Sequence, residues 1–262
     1  MPGLRFGSWL ERSVLRRFAV AGCLALTFGL LGPAQVSGRQ AEVKRLALVI
    51  TNPAAGTDVA PSAEAISRKL GALGFEVVPA PSATLFDLVR ATARLEDRVS
   101  GDTIVVVYYS GYAARANGED WLIPAGATPA GPADLGNQAL PLRATIRALR
   151  DKGAVVAAVI DGCRQSRVLE ALGGACAGDP DGRERDIYQV SSSMRLVPGD
   201  LTSRLLGLLV EDRSVGQLFG DIQSNFGAQV VVETPAAPGT RAALSMSRPR
   251  PAPPPAPVPN AA

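Results

Sequence analysis

From residue 43 onward, short apolar runs alternate with longer stretches of helical period, the pattern of an α/β sheet with helices on its faces. Leu46-Ala47-Leu48-Val49-Ile50 is apolar without interruption, which suits a strand buried on both sides. Pro61 suits a first helical position, Ile66, Leu70 and Leu73 give that helix an apolar stripe, and Gly74 stops it. Phe75 to Val78 reads as a short second strand. Ser82 is placed to cap the next helix, with Leu85, Leu88, Val89, Thr92 and Leu95 at three- and four-residue steps. Thr103 to Tyr109, rich in β-branched and aromatic residues, is the strongest strand pattern in the chain. A glycine- and proline-rich excursion from Gly126 to Pro141 follows, then a helix over Leu142 to Arg150 and a fourth buried strand over Ala154 to Ile160. Past a polar, glycine-rich segment reaching about Arg185 come a strand near Ile187 to Val190, helices near Leu201 to Val210 and Val215 to Phe226, and a last strand over Gln229 to Glu233. No repeat or internal linker divides residues 43–235.

The two ends break this rhythm. Residues 1–38 carry Arg5, Arg12, Arg16 and Arg17, then a 14-residue uncharged apolar run from Phe18 to Leu31, then small residues ending at Gly38. That order reads as a cleavable secretory signal cut near Gly38, making the domain periplasmic or secreted. A membrane anchor is the alternative, although the run is shorter than the roughly 20 residues a spanning helix needs. A lipoprotein signal at Cys23 fits less well, because most of the apolar run follows that cysteine. Arg16-Arg17 hints at twin-arginine export. Residues 236–262 form a proline-rich tail; its last fifteen residues hold seven prolines and no aromatic, so it reads as an extended spacer or a docking segment for a proline-reading partner.

Charge matters only once the leader is set aside. The chain has 27 basic and 24 acidic residues, a net charge of +3 and a pI near 9.0. The leader holds four of the basic residues and one acidic residue, Glu11, so the remainder is neutral. A nucleic-acid footprint is therefore excluded. With 47% apolar residues there is ample material for a core, and no histidine/cysteine cluster suggests zinc or another cofactor. The chain contains no histidine at all.

In open sheets of this kind, sites form where loops leave the carboxyl ends of adjacent strands. Here those loops are Ser110-Gly111-Tyr112-Ala113 and Asp161-Gly162-Cys163-Arg164. Together with RLALVITN at 45–52, GDTIVVVYYSGY at 101–112, NGEDWLIPAGA at 117–127 and VVAAVIDGCR at 155–164, they resemble the caspase-like cysteine peptidases (peptidase C14), which include caspases, metacaspases and bacterial orthocaspase-like members. The resemblance implies a three-layer α/β/α sandwich, the caspase–haemoglobinase fold, with a mostly parallel central sheet. It places Cys163 at the nucleophile position. Tyr112 falls where the family has its general-base histidine, and Ala113 falls where the family has a glycine whose N–H helps to hold the oxyanion. Asp161 resembles the acidic residue with which metacaspase-like members bind Arg or Lys side chains; an ordinary strand-end aspartate bonding nearby amides is the other reading.

These departures bear directly on the chemistry. A thiol of pKa near 8.5 is only a few per cent thiolate at pH 7 and needs an adjacent base. Tyrosine, with a reference pKa of about 10, is a hydrogen-bond donor at neutral pH and cannot shuttle the proton. Cys163 and Cys176 are the two cysteines beyond the leader and could pair in an exported, oxidising setting. The sequence thus leads to the expectation of a catalytically impaired caspase-like domain that binds a peptide or protein, with basic residues as candidate ligand groups, without nucleic acid and without membrane unless the leader is retained. An active or self-processing endopeptidase, cutting near Arg183 and Arg185, and a structural envelope module are the rival expectations.

Overall fold

The computed structural model describes residues 43–52, 60–81, 83–162, 167–177, 187–193, 195–196, 199–235 and 245–246. The leader, Ser82, Cys163, Arg164, Arg183, Arg185 and nearly all of the tail lie outside them. In chain order the elements are β1 (Lys44–Thr51), α1 (Ala60–Ala72), β2 (Glu76–Pro81), α2 (Leu85–Glu96), β3 (Thr103–Ser110), β4 (Tyr112–Ala116), β5 (Glu119–Ile123), α3 (Leu135–Gln138), β6 (Leu140–Pro141), α4 (Leu142–Asp151), β7 (Ala154–Asp161), α5 (Arg167–Ala171), β8 (Tyr188–Ser192), α6 (Asp200–Leu208), α7 (Val215–Phe226) and β9 (Val230–Glu233).

Six strands form one sheet in the order β2-β1-β3-β7-β8-β9, parallel throughout except for β9. Because side chains of a strand alternate between faces, the uninterrupted apolar runs feed two cores at once. Ala47 and Val49 of β1, Ile104 and Val106 of β3, and Val155, Ala157 and Val159 of β7 meet Ile66 and Leu70 of α1, Leu201 and Leu205 of α6, and Phe219 and Ile222 of α7. Leu46, Leu48 and Ile50, with Val105, Val107 and Tyr109 and with Val156, Ala158 and Ile160, meet Leu88 and Leu95 of α2 and Leu142, Ile146 and Leu149 of α4 on the other side. The result is the three-layer α/β/α sandwich.

A small antiparallel sheet, β4-β5-β6, is attached to this body. Its hairpin turns on Asn117 and Gly118, both with positive φ (55° and 74°), the conformation that a two-residue type I′ connection demands.

The observed elements depart from the sequence pattern in four places. The segment after β3 is not an extended loop: Gly111 alone makes the turn, and Tyr112 and Ala113 already belong to β4. β2 runs on through Pro79 to Pro81, which a strand tolerates at the edge of a sheet where no ladder bond is required on its outer side. Helix α2 is capped by Thr84, which exchanges bonds with Asp87 in a capping box. Val89 is 48% exposed, because it lies one 100° step off the stripe of Leu88, Thr92 and Leu95.

Candidate active site

The carboxyl ends of β1, β3 and β7 lie side by side, with Thr51, Ser110 and Asp161 in register. From β1 the chain crosses outward to β2 on one side and, later, to β3 on the other, so the gap beyond β1 and β3 is the topological switch point where α/β sheets bind ligands. Two backbone bonds stitch the three ends together: Asn52 N–H donates to Ser110 O at 2.8 Å, and Gly111 N–H to Asp161 O at 3.3 Å. Gly111 has to be glycine, since a Cβ there would lie 2.6 Å from the Tyr109 hydroxyl and 3.0 Å from the Asn52 carbonyl. That hydroxyl shares its proton between the carbonyls of Tyr112 (2.8 Å) and Ile123 (2.6 Å), tying β3 to both strands of the hairpin.

Tyr112, half-buried, therefore stands at the start of β4, packed against the small apolar cluster of Ala114, Ile123, Leu135 and Leu169. Ala113 is 3% exposed, and its N–H donates to Gly162 O at 3.1 Å. Gly162 in turn donates its N–H to Ser192 Oγ at 3.1 Å. The two small residues are in intimate contact: a Cβ built on Gly162 would sit 2.7 Å from the Ala113 methyl and 2.9 Å from Gly111 O. Cys163 is the next residue after Gly162 but lies outside the described residues. Cys176 is buried and disulfide-bonded, and it makes an antiparallel bridge with Ala114 of β4. Tyr112, Ala113, Gly162 and Cys176 are thus brought to one place.

Asp161 turns the other way. It is 2% exposed, and its Oδ2 accepts from Gly199 N–H (3.1 Å) and Thr202 Oγ1 (3.3 Å), at the first turn of α6. The carboxylate complements the exposed amides and positive end of that helix. A basic ligand side chain would have to compete with these bonds to reach it.

Sequence reasoning missed two members of the site. Asn52 is 4% exposed; its Nδ2 donates to Ile123 O at 3.4 Å, while its Oδ1 is buried with no hydrogen-bond partner among the described residues. The signal available was an amide-bearing residue directly after the apolar run of β1. Ser192, which holds Gly162, is one of three consecutive serines that nothing in the pattern distinguishes.

Beneath the hairpin lies a cluster of buried charge. Asp120 accepts from Arg115 Nη1 (3.0 Å) on one oxygen, and from Arg143 Nε (3.2 Å) and Gln189 Nε2 (2.8 Å) on the other. Arg143 also pairs with Glu233 at 2.5 Å. The neighbouring Glu119 accepts the N–H groups of Asp120, Arg143 and Ala144, so it caps α4, whose own N-cap is a proline without a side-chain bond. Burial pushes both Glu119 and Glu233 above the usual carboxylate range, against the lowering effect of the bonds they accept. The cluster bridges β4, β5, α4, β8 and β9 and fixes the strand that carries Tyr112 and Ala113.

Comparison with known proteins bears on this geometry. The family model for the caspase domain matches residues 44–243. The chain belongs to the caspase domain family. Among solved structures, a Geobacter sulfurreducens protein, GSU0716, superposes with a TM-score of 0.50 at 15% identity, covering 78% of this chain and 97% of its own. The Drosophila initiator caspase Dronc gives 0.46 at 10% identity (70% and 73% covered), and drICE 0.46 at 13% (75% and 90%). No curated protein sequence matches. Tyr112 and Ala113 open the strand that follows β3, and Gly162 is the residue that follows β7.

Proposed function

We propose that this caspase-family domain is a pseudoprotease: it does not hydrolyse peptides and acts by binding a peptide or protein segment at the cleft beyond β1 and β3. One observation carries the reading. The N–H of Ala113, at the position whose glycine helps to hold the oxyanion in the family, is buried and already donated to Gly162 O at 3.1 Å. A donor bonded within the resting protein cannot stabilise developing charge unless the loop rearranges, and losing one such donor typically costs 10²–10³ in rate. The chain also lacks any histidine to move the thiol proton, which removes roughly a further 10²–10⁴.

Binding survives what catalysis does not. Among the described residues, Asn52 Oδ1 is a buried acceptor without a donor, a situation that typically costs about 1–3 kcal/mol. A peptide N–H entering the cleft would offset that cost. The leader at residues 1–38 supports export by its charge and apolar pattern, and N-terminal sequencing of the mature protein, expected to start near Arg39, tests that part. For the chemistry, the purified domain is incubated with fluorogenic peptides ending in Arg, Lys or Asp. No turnover is expected; turnover that Cys163→Ala abolishes would overturn the proposal.

A further inference from the structure

Cys176 is disulfide-bonded, and the chain offers only Cys23 and Cys163 as partners. The edge of β4 opposite β5 discriminates between them. N–H groups of alternate strand residues point to the same edge. Ala113 and Arg115 are such a pair: Ala113 N–H donates to Gly162 O at 3.1 Å and Arg115 N–H to Ala175 O at 2.8 Å. Gly162 and Ala175 therefore sit on one edge of one strand, two residues apart along it, a separation of about 7 Å. Cys163 and Cys176 are the residues that immediately follow them, and Cys176 faces Ala114, midway between the two bonds. Cys176 and the residue before Cys163 are thus held at the same strand edge, and a Cα separation of roughly 7 Å is the most that a disulfide can span.

We infer that Cys176 is joined to Cys163, so that the sulfur at the nucleophile position is covalently closed in the oxidised protein and released only by reduction. The inference rests on the pseudoprotease reading for its meaning but not for its evidence. Forming the bond joins the two sulfurs and gives up two protons and two electrons to a disulfide of another molecule, by exchange through a mixed disulfide. A small dithiol such as dithiothreitol returns them and regenerates both thiols. The bond also ties the loop after β7 to the segment that flanks β4, so it holds Gly162 against Ala113. Reduction then frees both a thiol and the contact that occupies the Ala113 amide.

The full chain is alkylated with N-ethylmaleimide without reductant and digested with trypsin, which cuts after Lys152, Arg164, Arg167 and Arg183. Mass spectrometry is expected to find peptides 153–164 and 168–183 joined, unmodified by the reagent, and separating on reduction. Finding 168–183 joined to the Cys23 peptide, or finding Cys163 alkylated before reduction, would overturn the inference. A Cys176→Ser variant separates it from the parent reading. Cys163 is expected to become alkylatable there while peptide hydrolysis stays absent. Turnover in that variant, abolished by alkylating Cys163, would sink the pseudoprotease reading and leave the disulfide standing; an alkylatable Cys163 in the wild-type chain without turnover would do the reverse.

Discussion

The two sides of β4 are held by opposite means. On its outer side, against the end of β7, contact is made by residues with little or no side chain: Gly111, Ala113 and Gly162 approach so closely that only backbone bonds and one methyl fit between them. On the hairpin side, Arg115, Asp120, Arg143, Gln189 and Glu233 bring charge into the interior. The first arrangement fills the space between the ends of β3 and β7, and the second keeps the strand bordering that space in place.

The charged side should break hardest. Asp120 is fully buried between Arg115 and Arg143, which are themselves at most 8% exposed. Asp120→Ala leaves two guanidinium groups facing each other across the site of the lost carboxylate, and removing one partner of such a buried cluster typically costs about 3–5 kcal/mol. Thermal or urea unfolding of the variant is expected to show a loss of that size. A loss under about 1 kcal/mol would mean that the cluster is solvated and does not fix the hairpin.

The packed side should give a smaller but more specific response. Gly162→Ala puts a methyl 2.7 Å from that of Ala113, and overpacking of this kind costs about 1–3 kcal/mol. Ala113→Gly in the same chain removes one of the clashing groups, so the double variant should recover part of the loss, with a coupling of at least about 0.5 kcal/mol in a double-mutant cycle. Recovery is incomplete because Gly111 O, at 2.9 Å, remains in the way. Strictly additive losses would show that the two residues do not share this contact.

How far each side could be read in advance follows from the same contrast. Strands β1, β3 and β7 declare themselves because burial on both faces demands uninterrupted apolar runs, and their helices follow from three- and four-residue stripes. β4 does not: Tyr-Ala-Ala-Arg-Ala has little intrinsic strand preference, and its conformation comes from β5 across a two-residue turn on one edge and from the distant Gly162 and Ala175 on the other. Cys163, Tyr112 and Ala113 stand out in the sequence only through family likeness, whereas the direction in which Asp161 turns depends on where α6 begins. Arg143 lies in the first turn of an otherwise amphipathic helix and reads as surface charge; only the arrival of Asp120 and Glu233 from distant strands makes its burial tolerable.

The mildest test concerns Glu119, which links the charged side of the comparison to α4. Its carboxyl is raised from the ordinary value of 4.5, chiefly by burial, although three backbone N–H groups favour the ionised form. In the unfolded chain it ionises near 4.5, so the folded state binds the proton more tightly. Its contribution to stability is then fully present below that value and is lost as pH rises through the folded pKa. Glu119→Gln keeps one oxygen to accept the α4 amides but cannot ionise. The variant should therefore start less stable than wild type at about pH 4 and close the gap as pH rises toward neutrality, a trend read from melting temperatures across that range. A gap that widens with pH would show that the amides outweigh burial and that the carboxylate caps α4 as a full charge.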